Sequence, residues 1–181
     1  MHDEFGSVLR AAQAGSEWAW SRLYHDLAGR VFGYLRTQGA HDPEGLLGDV
    51  FLQVARNTPD FEGDERSFRS WVFTIAHHRV IDERRYRSRR PVDPYDDLSG
   101  LGETGDVEQE ALDSLTSGRV QELIEQLTPD QRDVLLLRVV GDLTVAQVAG
   151  ALEKAPGTVK ALQRRGLAAL QRLTERRGVP L

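Results

Sequence analysis

The chain has 181 residues, 40% hydrophobic and 28% charged, which excludes a wholly disordered chain and fits one domain or two small ones. It has no cysteine, excluding disulfides and cysteine-based metal or nucleophile chemistry, and no apolar run near the ~20 residues a membrane span requires. The net charge of −5 stands against a nucleic-acid partner, because such partners ordinarily attract basic proteins.

In chain order, Met1-His2-Asp3-Glu4 lacks the basic start and apolar core of a signal peptide, so the expected location is cytoplasmic. Ser16 can cap a helix ending at Gly39, with Trp20, Leu23, Leu27, Val31, Tyr34 and Leu35 on one stripe. Asp42-Pro43 pairs a capping residue with a first-turn proline. That helix carries Leu46, Leu47, Val50, Phe51 and Val54 and stops near Pro59. A polar loop, Asp60-Phe61-Glu62-Gly63-Asp64-Glu65, leads to Ser67, which opens a long helix with Phe68, Trp71, Val72, Ile75 and Ala76 at i, i+3, i+4 spacing. Its end, residues 79–90, holds six arginines against Asp82 and Glu83. Arginine suits forked hydrogen bonding to phosphate, although a cationic helix end is also an ordinary solvated feature.

Residues 91–117 then contain eight acids, no Lys or Arg, and several Pro and Gly, the composition of a flexible tether. Beyond it, Val120, Leu123, Ile124 and Leu127 predict one amphipathic helix, and Thr128-Pro129 opens DQRDVLLLRVV, ended by Gly141. Thr144 caps the short helix VAQVAGAL, and Pro156 starts a longer one to about Arg176 with Val159, Leu162, Gly166, Ala169, Leu170 and Leu173 inward. No segment alternates apolar and polar residues long enough for a sheet. The predicted fold is all-α, with small helical domains at 1–90 and 118–181 joined by an acidic linker at 91–117. Two small lobes on such a tether predict a loose relative placement.

The charge now has an address. Residues 1–90 balance at 13 basic and 13 acidic, and residues 118–181 carry ten basic against seven acidic, so the excess acidity lies in the tether. A short helix, a turn and a longer basic helix match a helix-turn-helix, whose second helix enters the major groove. Its start, Pro156-Gly157-Thr158-Val159-Lys160-Ala161, is followed by Gln163, Arg164 and Arg165. Thr158 can donate to phosphate, Lys commonly holds phosphate, and Gln and Arg can pair with adenine and guanine. A helical hairpin with a solvated charged face is the plain alternative.

Taken whole, the chain resembles a bacterial RNA polymerase sigma factor of the extracytoplasmic-function (ECF) type, in the sigma-70 family. DPEGLLGDVFLQVARN resembles the family's polymerase-binding helix, and FEGDERSFRSWVFTIAHHRVIDERRYRSRR its promoter-melting, minus-ten-reading segment. LTPDQRDVLLLRVVGDLTVAQVAGAL followed by PGTVKALQRRGLAAL resembles its minus-thirty-five-reading domain. FRSWVFTIA with a downstream D-x-x-R and GTVK makes the combination specific.

The resemblance implies a non-enzymatic initiation factor without cofactor or metal. It would bind core RNA polymerase through the β′ clamp and β flap, contact promoter DNA, and allow an anti-sigma factor as a further partner. By the same carry-over, Asp42, Glu44, Leu47, Asp49 and Phe51 lie on or beneath the clamp-binding surface. The loop residues Asp60, Phe61, Glu62, Gly63 and Asp64 would hold a flipped non-template base, whose extrusion costs a few kcal/mol. His77, His78, Arg79, Arg84, Arg85 and Arg87 would hold duplex and backbone at the upstream edge of that element. Thr144, Pro156, Gly157, Thr158, Lys160, Gln163, Arg164 and Arg165 would form the minus-thirty-five surface. Trp71 and Phe73 are possible base-stacking platforms, but Trp71 falls on the apolar stripe, which favours core packing.

The chain departs from the family pattern at Gly45 and Gly48, where an acidic residue and a glutamine are usual. Each glycine weakens a helix by roughly 1 kcal/mol against alanine. His78 stands where asparagine is common, and Leu162-Gln163 where an arginine and an apolar residue are common. The acidic segment reads as a soluble spacer; the family adds a path near the RNA exit channel as a second reading. Fully extended, its 27 residues would reach on the order of 90 Å.

Two rivals stand beside this reading. A stand-alone helix-turn-helix regulator explains the second lobe but not the arginine-rich helix with its acidic loop. A metal enzyme could use His77, His78 and Asp82, yet GxxxxGK[ST], HExxH and GxSxG motifs are all missing.

Overall fold

The computed structural model describes residues 2–89 and 118–177, and every regular element among them is helical. The first lobe contains α1 (His2–Gln13), α2 (Glu17–Thr37), α3 (Pro43–Asn57), a 3-10 turn (Thr58–Asp60) and α4 (Glu65–Arg89). The second contains α5 (118–125), α6 (Pro129–Val139), α7 (Val145–Ala151) and α8 (Pro156–Arg177). The predicted linker at 91–117 lies outside the described residues.

Local chemistry explains most element boundaries. Thr128 and Thr144 each form a reciprocal capping box, with Gln131 and Gln147 respectively, satisfying two otherwise orphaned N–H groups at the starts of α6 and α7. Arg132 donates to the carbonyls of Ile124 and Glu125, closing the far end of α5. Two expectations need correcting. The α4 cap is Asp64, whose carboxylate accepts from the Ser67 N–H at 2.8 Å, so the helix begins before Ser67. Helix α1 had no counterpart in the sequence reading, although Phe5, Val8, Leu9 and Ala12 follow helical spacing and pack inward.

The first lobe closes around Leu23, Leu27, Val31, Tyr34 and Leu35 of α2, Val50 and Val54 of α3, and Phe68, Val72, Phe73 and Val80 of α4. In the second, Val134 to Leu137, Leu143, Val148, Val159 and Leu162 make the core. These two cores are continuous, and the lobes are docked: α7 packs on α4, and α6 on α2. Gly141 sits at the junction, where a Cβ would lie 3.2 Å from the ring of Phe73 in the other lobe. The loose placement expected from the tether is therefore not what the structure holds. The lobes are joined by that shared apolar core, with specific polar pairs, described next, at its edge.

Candidate polymerase and nucleic-acid interfaces

Helix α3 presents the first group of candidates unevenly. Asp42, Glu44 and Asp49 are exposed, Leu47 is half-buried, and Phe51 is buried with Tyr24 edge-on to its ring at 4.7 Å. Phe51 therefore supports the surface from beneath. Asp42 is occupied as the cap of α3, accepting the Gly45 N–H at 2.8 Å. This explains the unusual Gly45: a Cβ there would overlap the Asp42 carboxylate folded over it. Nothing in the structure explains Gly48, around which space is open. Sequence reasoning passed over the exposed Trp18, Tyr24 and Leu52, which add apolar area on α2 and α3. Their exposure is a property of packing, and periodicity had no signal for it.

The loop before α4 points Asp60, Glu62, Gly63 and Asp64 toward solvent. Phe61 turns the other way, stacking on Trp71 at 5.0 Å and meeting Phe68 edge-on at 5.2 Å. Of the predicted loop surface, Phe61 is thus part of its foundation, and Trp71 shares that aromatic cluster. Phe73, the other possible stacking platform, is fully buried, edge-on to Tyr34 at 5.6 Å. Gln13 of α1 fixes the loop by donating to the carbonyls of Thr58, at 3.1 Å, and Phe61, at 2.9 Å. Hydrogen bonding from Ser67 holds the Asp64 carboxyl below the usual range. The loop therefore keeps a negative charge at its α4 end.

Along α4 the basic candidates divide. His78, Arg85 and Arg87 are exposed and Arg79 is half-buried. His77 and Arg84 instead enter a polar network at the lobe junction. Gln38, at the C-terminal cap of α2, donates its amide N–H groups to Asp133 of α6 at 2.8 Å and to the Tyr34 oxygen at 3.1 Å. Its carbonyl oxygens, side chain and backbone, both accept from Arg84, the side-chain one at 2.7 Å. Tyr34 and Nδ1 of His77 are joined at 3.0 Å. Burial pushes the His77 pKa down despite the opposing Asp133 charge, with His78 and Arg84 adding to the fall. The same burial, with Asp133 nearby, pushes the Tyr34 hydroxyl up. Glu83 accepts from the backbone N–H groups of His41 and Asp42, pinning α4 to the turn before α3.

The imidazoles of His77 and His78 diverge, one buried against Tyr34 and the other exposed, with ring centres 6.0 Å apart. Among the described residues no three His, Asp or Glu are grouped to hold a metal.

In the second lobe, Thr144 caps α7, and Pro156, Gly157, Thr158, Lys160, Arg164 and Arg165 are exposed at the start of α8. Lys160 and Arg164, one turn apart, project together from the same face. Gln163 is half-buried, and its carbonyl accepts from Nε of Arg138 at 3.3 Å. The expected partner of adenine is thus held against α6, and Arg138 is a supporting residue that spacing did not reveal. Among the described residues no helix is long and apolar enough to cross a membrane.

A capped short helix, a turn and a basic second helix make a helix-turn-helix, joined here to an aromatic-rich helical lobe, and the family models that match the two lobes are those of the sigma-70 family. The sigma-70 region 2 family model matches residues 20–90, and the sigma-70 region 4 model residues 117–176. Curated relatives place it more narrowly. The chain is 31% identical over 176 residues to the ECF RNA polymerase sigma factor SigK of Mycolicibacterium vanbaalenii, covering 93% of this chain and 88% of the relative. It is 31% identical over 194 residues to ShbA of Streptomyces griseus, covering 97% and 100%. It is also 31% identical over 169 residues to BldN of Streptomyces coelicolor, covering 92% of this chain but 64% of that relative's length. The solved structure of CnrH in complex with the cytosolic domain of CnrY has the same fold, with a TM-score of 0.70, 21% identity, and coverage of 93% and 95%. The chain belongs to the ECF RNA polymerase sigma factors, proteins that direct RNA polymerase to promoters.

Proposed function

We propose that the two lobes divide promoter recognition between them. The lobe at 1–90 binds core polymerase through the exposed face of α3, with Asp42, Glu44, Leu47 and Asp49 at the surface and Phe51 beneath. It reads and melts the minus-ten element through the loop Asp60–Asp64 and the basic face of α4. The lobe at 118–181 reads the minus-thirty-five element through Thr158, Lys160, Arg164 and Arg165, while the segment 91–117 spans the distance between them. Tethering raises the effective concentration of the second contact once the first has formed.

The observation that carries this reading is the start of α8, where exposed basic residues follow a capped helix and a turn. Phosphate contacts there position the lobe, and base-edge contacts specify the sequence. The protein works in the cytoplasm as an initiation factor without a catalytic centre of its own, and an anti-sigma factor fits the same reading as a partner. Transcription from a genomic fragment library, with core polymerase alone and with this protein added, tests it. Protein-dependent start sites sharing two upstream elements are expected. If no such starts appear and the protein does not bind core, the reading fails.

A further inference from the structure

The arginine-rich end of α4 holds one hydroxyl. Ser88 is exposed in the last turn of the helix, and its Oγ donates to the Arg85 carbonyl at 2.9 Å, a bond within its own turn. Four arginines flank it, Arg84, Arg85, Arg87 and Arg89, and the last three are exposed. Arg85 stands three positions before the hydroxyl and Arg84 four before it. Of all the serines and threonines in the chain, Ser88 alone has a basic residue three positions ahead.

Its place in the fold sets it apart from its nearest rival. Ser70 also has arginines before it, Arg66 and Arg69, but it is half-buried in the interior of α4. The last four carbonyls of a helix have no intrahelical partner, so the final turn opens at low cost. That opening gives Ser88 the extended backbone on which an enzyme cleft can close. Protein kinases select substrates by the charge pattern around the acceptor, and acidic groups in the cleft pair strongly with arginine.

We propose that Ser88 is a phosphorylation site, the acceptor for a serine/threonine protein kinase with an acidic substrate cleft. The γ-phosphoryl group of ATP passes to Oγ. The new Oγ–P bond forms as the bond to the β,γ-bridging oxygen breaks, ADP leaves, and the hydroxyl proton goes to the kinase's base. The product carries about −1.5 to −2 charge at pH 7 and three strong acceptor oxygens. Arg85, one turn back on the same face, can reach them. Its pairing with Asp82, 3.9 Å long and exposed on both sides, is a weak competitor. Residues 79–90 carry a net +4 unmodified, so the phosphate removes roughly half of it. A dianion in the final turn also opposes the helix dipole and loosens the end of α4. Phosphorylation thereby withdraws arginines from promoter phosphates. This consequence rests on the proposed minus-ten role of α4, whereas the acceptor site does not.

The test uses the full chain, ATP with Mg²⁺ and, as an arginine-directed probe, the catalytic subunit of cAMP-dependent protein kinase, with mass-spectrometric mapping. One phosphoryl group is expected on Ser88, and none at that position in Ser88→Ala. Arg85→Gln should slow the transfer by about tenfold, the scale of one lost charge-assisted contact. Holoenzyme built with the phosphorylated chain should bind the promoter fragments recovered by the transcription test about tenfold more weakly at 0.1 M salt. Its slope of log affinity against log salt should be shallower by about 1 to 2, with core binding unchanged. Kinase-treated Ser88→Ala should bind as the untreated parent does. Transfer to other hydroxyls with Ser88 left bare overturns the site. Phosphorylated Ser88 with unchanged DNA affinity and salt slope overturns the withdrawal of arginines. A failure of the promoter reading shows separately: unmodified holoenzyme would then yield no promoter-specific starts while Ser88 still accepts the phosphoryl group.

Discussion

Replacing Gly45 and Gly48 separately by alanine isolates how α3 is built. Glycine in a helix interior costs roughly 1 kcal/mol against alanine, so both changes would stabilise α3 if propensity alone decided. At Gly48 no atom of a neighbouring element lies within 4 Å of the added Cβ, so the full gain of about 1 kcal/mol is expected there. At Gly45 the Cβ overlaps the Asp42 carboxylate, which must swing away and release the 2.8 Å bond it accepts from the Gly45 N–H. Losing a helix cap costs about 1 kcal/mol, which cancels the propensity gain. Gly48→Ala should therefore raise the unfolding midpoint by about 2–4 °C, the usual scale for 1 kcal/mol in a chain of this size, and Gly45→Ala should leave it near the parent value. Thermal and urea unfolding of the full chain measure both. Combining Gly45→Ala with Asp42→Ala supplies the decisive comparison: once the cap is gone, alanine at 45 should stabilise relative to Asp42→Ala alone. If alanine at 45 stabilises as much as at 48 with Asp42 intact, the capping account of Gly45 is wrong.

Arg164→Ala should weaken discrimination at the minus-thirty-five element by on the order of 1–3 kcal/mol while leaving core binding intact, as read by promoter selection and by core titration. Gln163→Ala should change that discrimination less, because its amide is held by Arg138; an equal effect would mean that Gln163 turns into the groove. Stability should also depend on pH through His77, whose pKa lies below the ordinary 6.5 because burial disfavours the imidazolium. The unfolded chain then takes up this proton first as pH falls, so the contribution is complete above the unfolded value and declines below it. Urea midpoints should drop between about pH 7.5 and pH 5.5, and His77→Gln should show a shallower drop; an unchanged slope would exclude His77 as the source.

Much of the fold was legible because its signals are short-range. Thr128-Pro129 and Thr144 announce their helices through bonds to residues three positions away, and the stripes on α2 and α4 follow a 3.6-residue period. Helix α1 went unread although its apolar spacing is regular, because only Phe5, Val8, Leu9 and Ala12 carry it. At the candidate interfaces, the exposed start of α8 was legible because basic and small residues there stand off the apolar stripe. Phe61, His77, Arg84 and Gln163 were not, since each faces a partner from another element: Trp71, Tyr34, Gln38 and Arg138. Residue type names what a side chain can do, and the fold chooses what it meets.

The sequence by itself determined two helical lobes, the caps of α3, α6 and α7, a helix-turn-helix, and a net charge of −5 concentrated in an acidic segment. Only the tertiary structure decided that Gln38 meets Asp133 across 95 positions of chain, and that α7 lies on α4. The difference is one of range. Caps and periodicity act within a turn or two of backbone, where the order of residues is also their order in space. Docking depends on which faces meet after each lobe has formed, and no local pattern encodes that pairing.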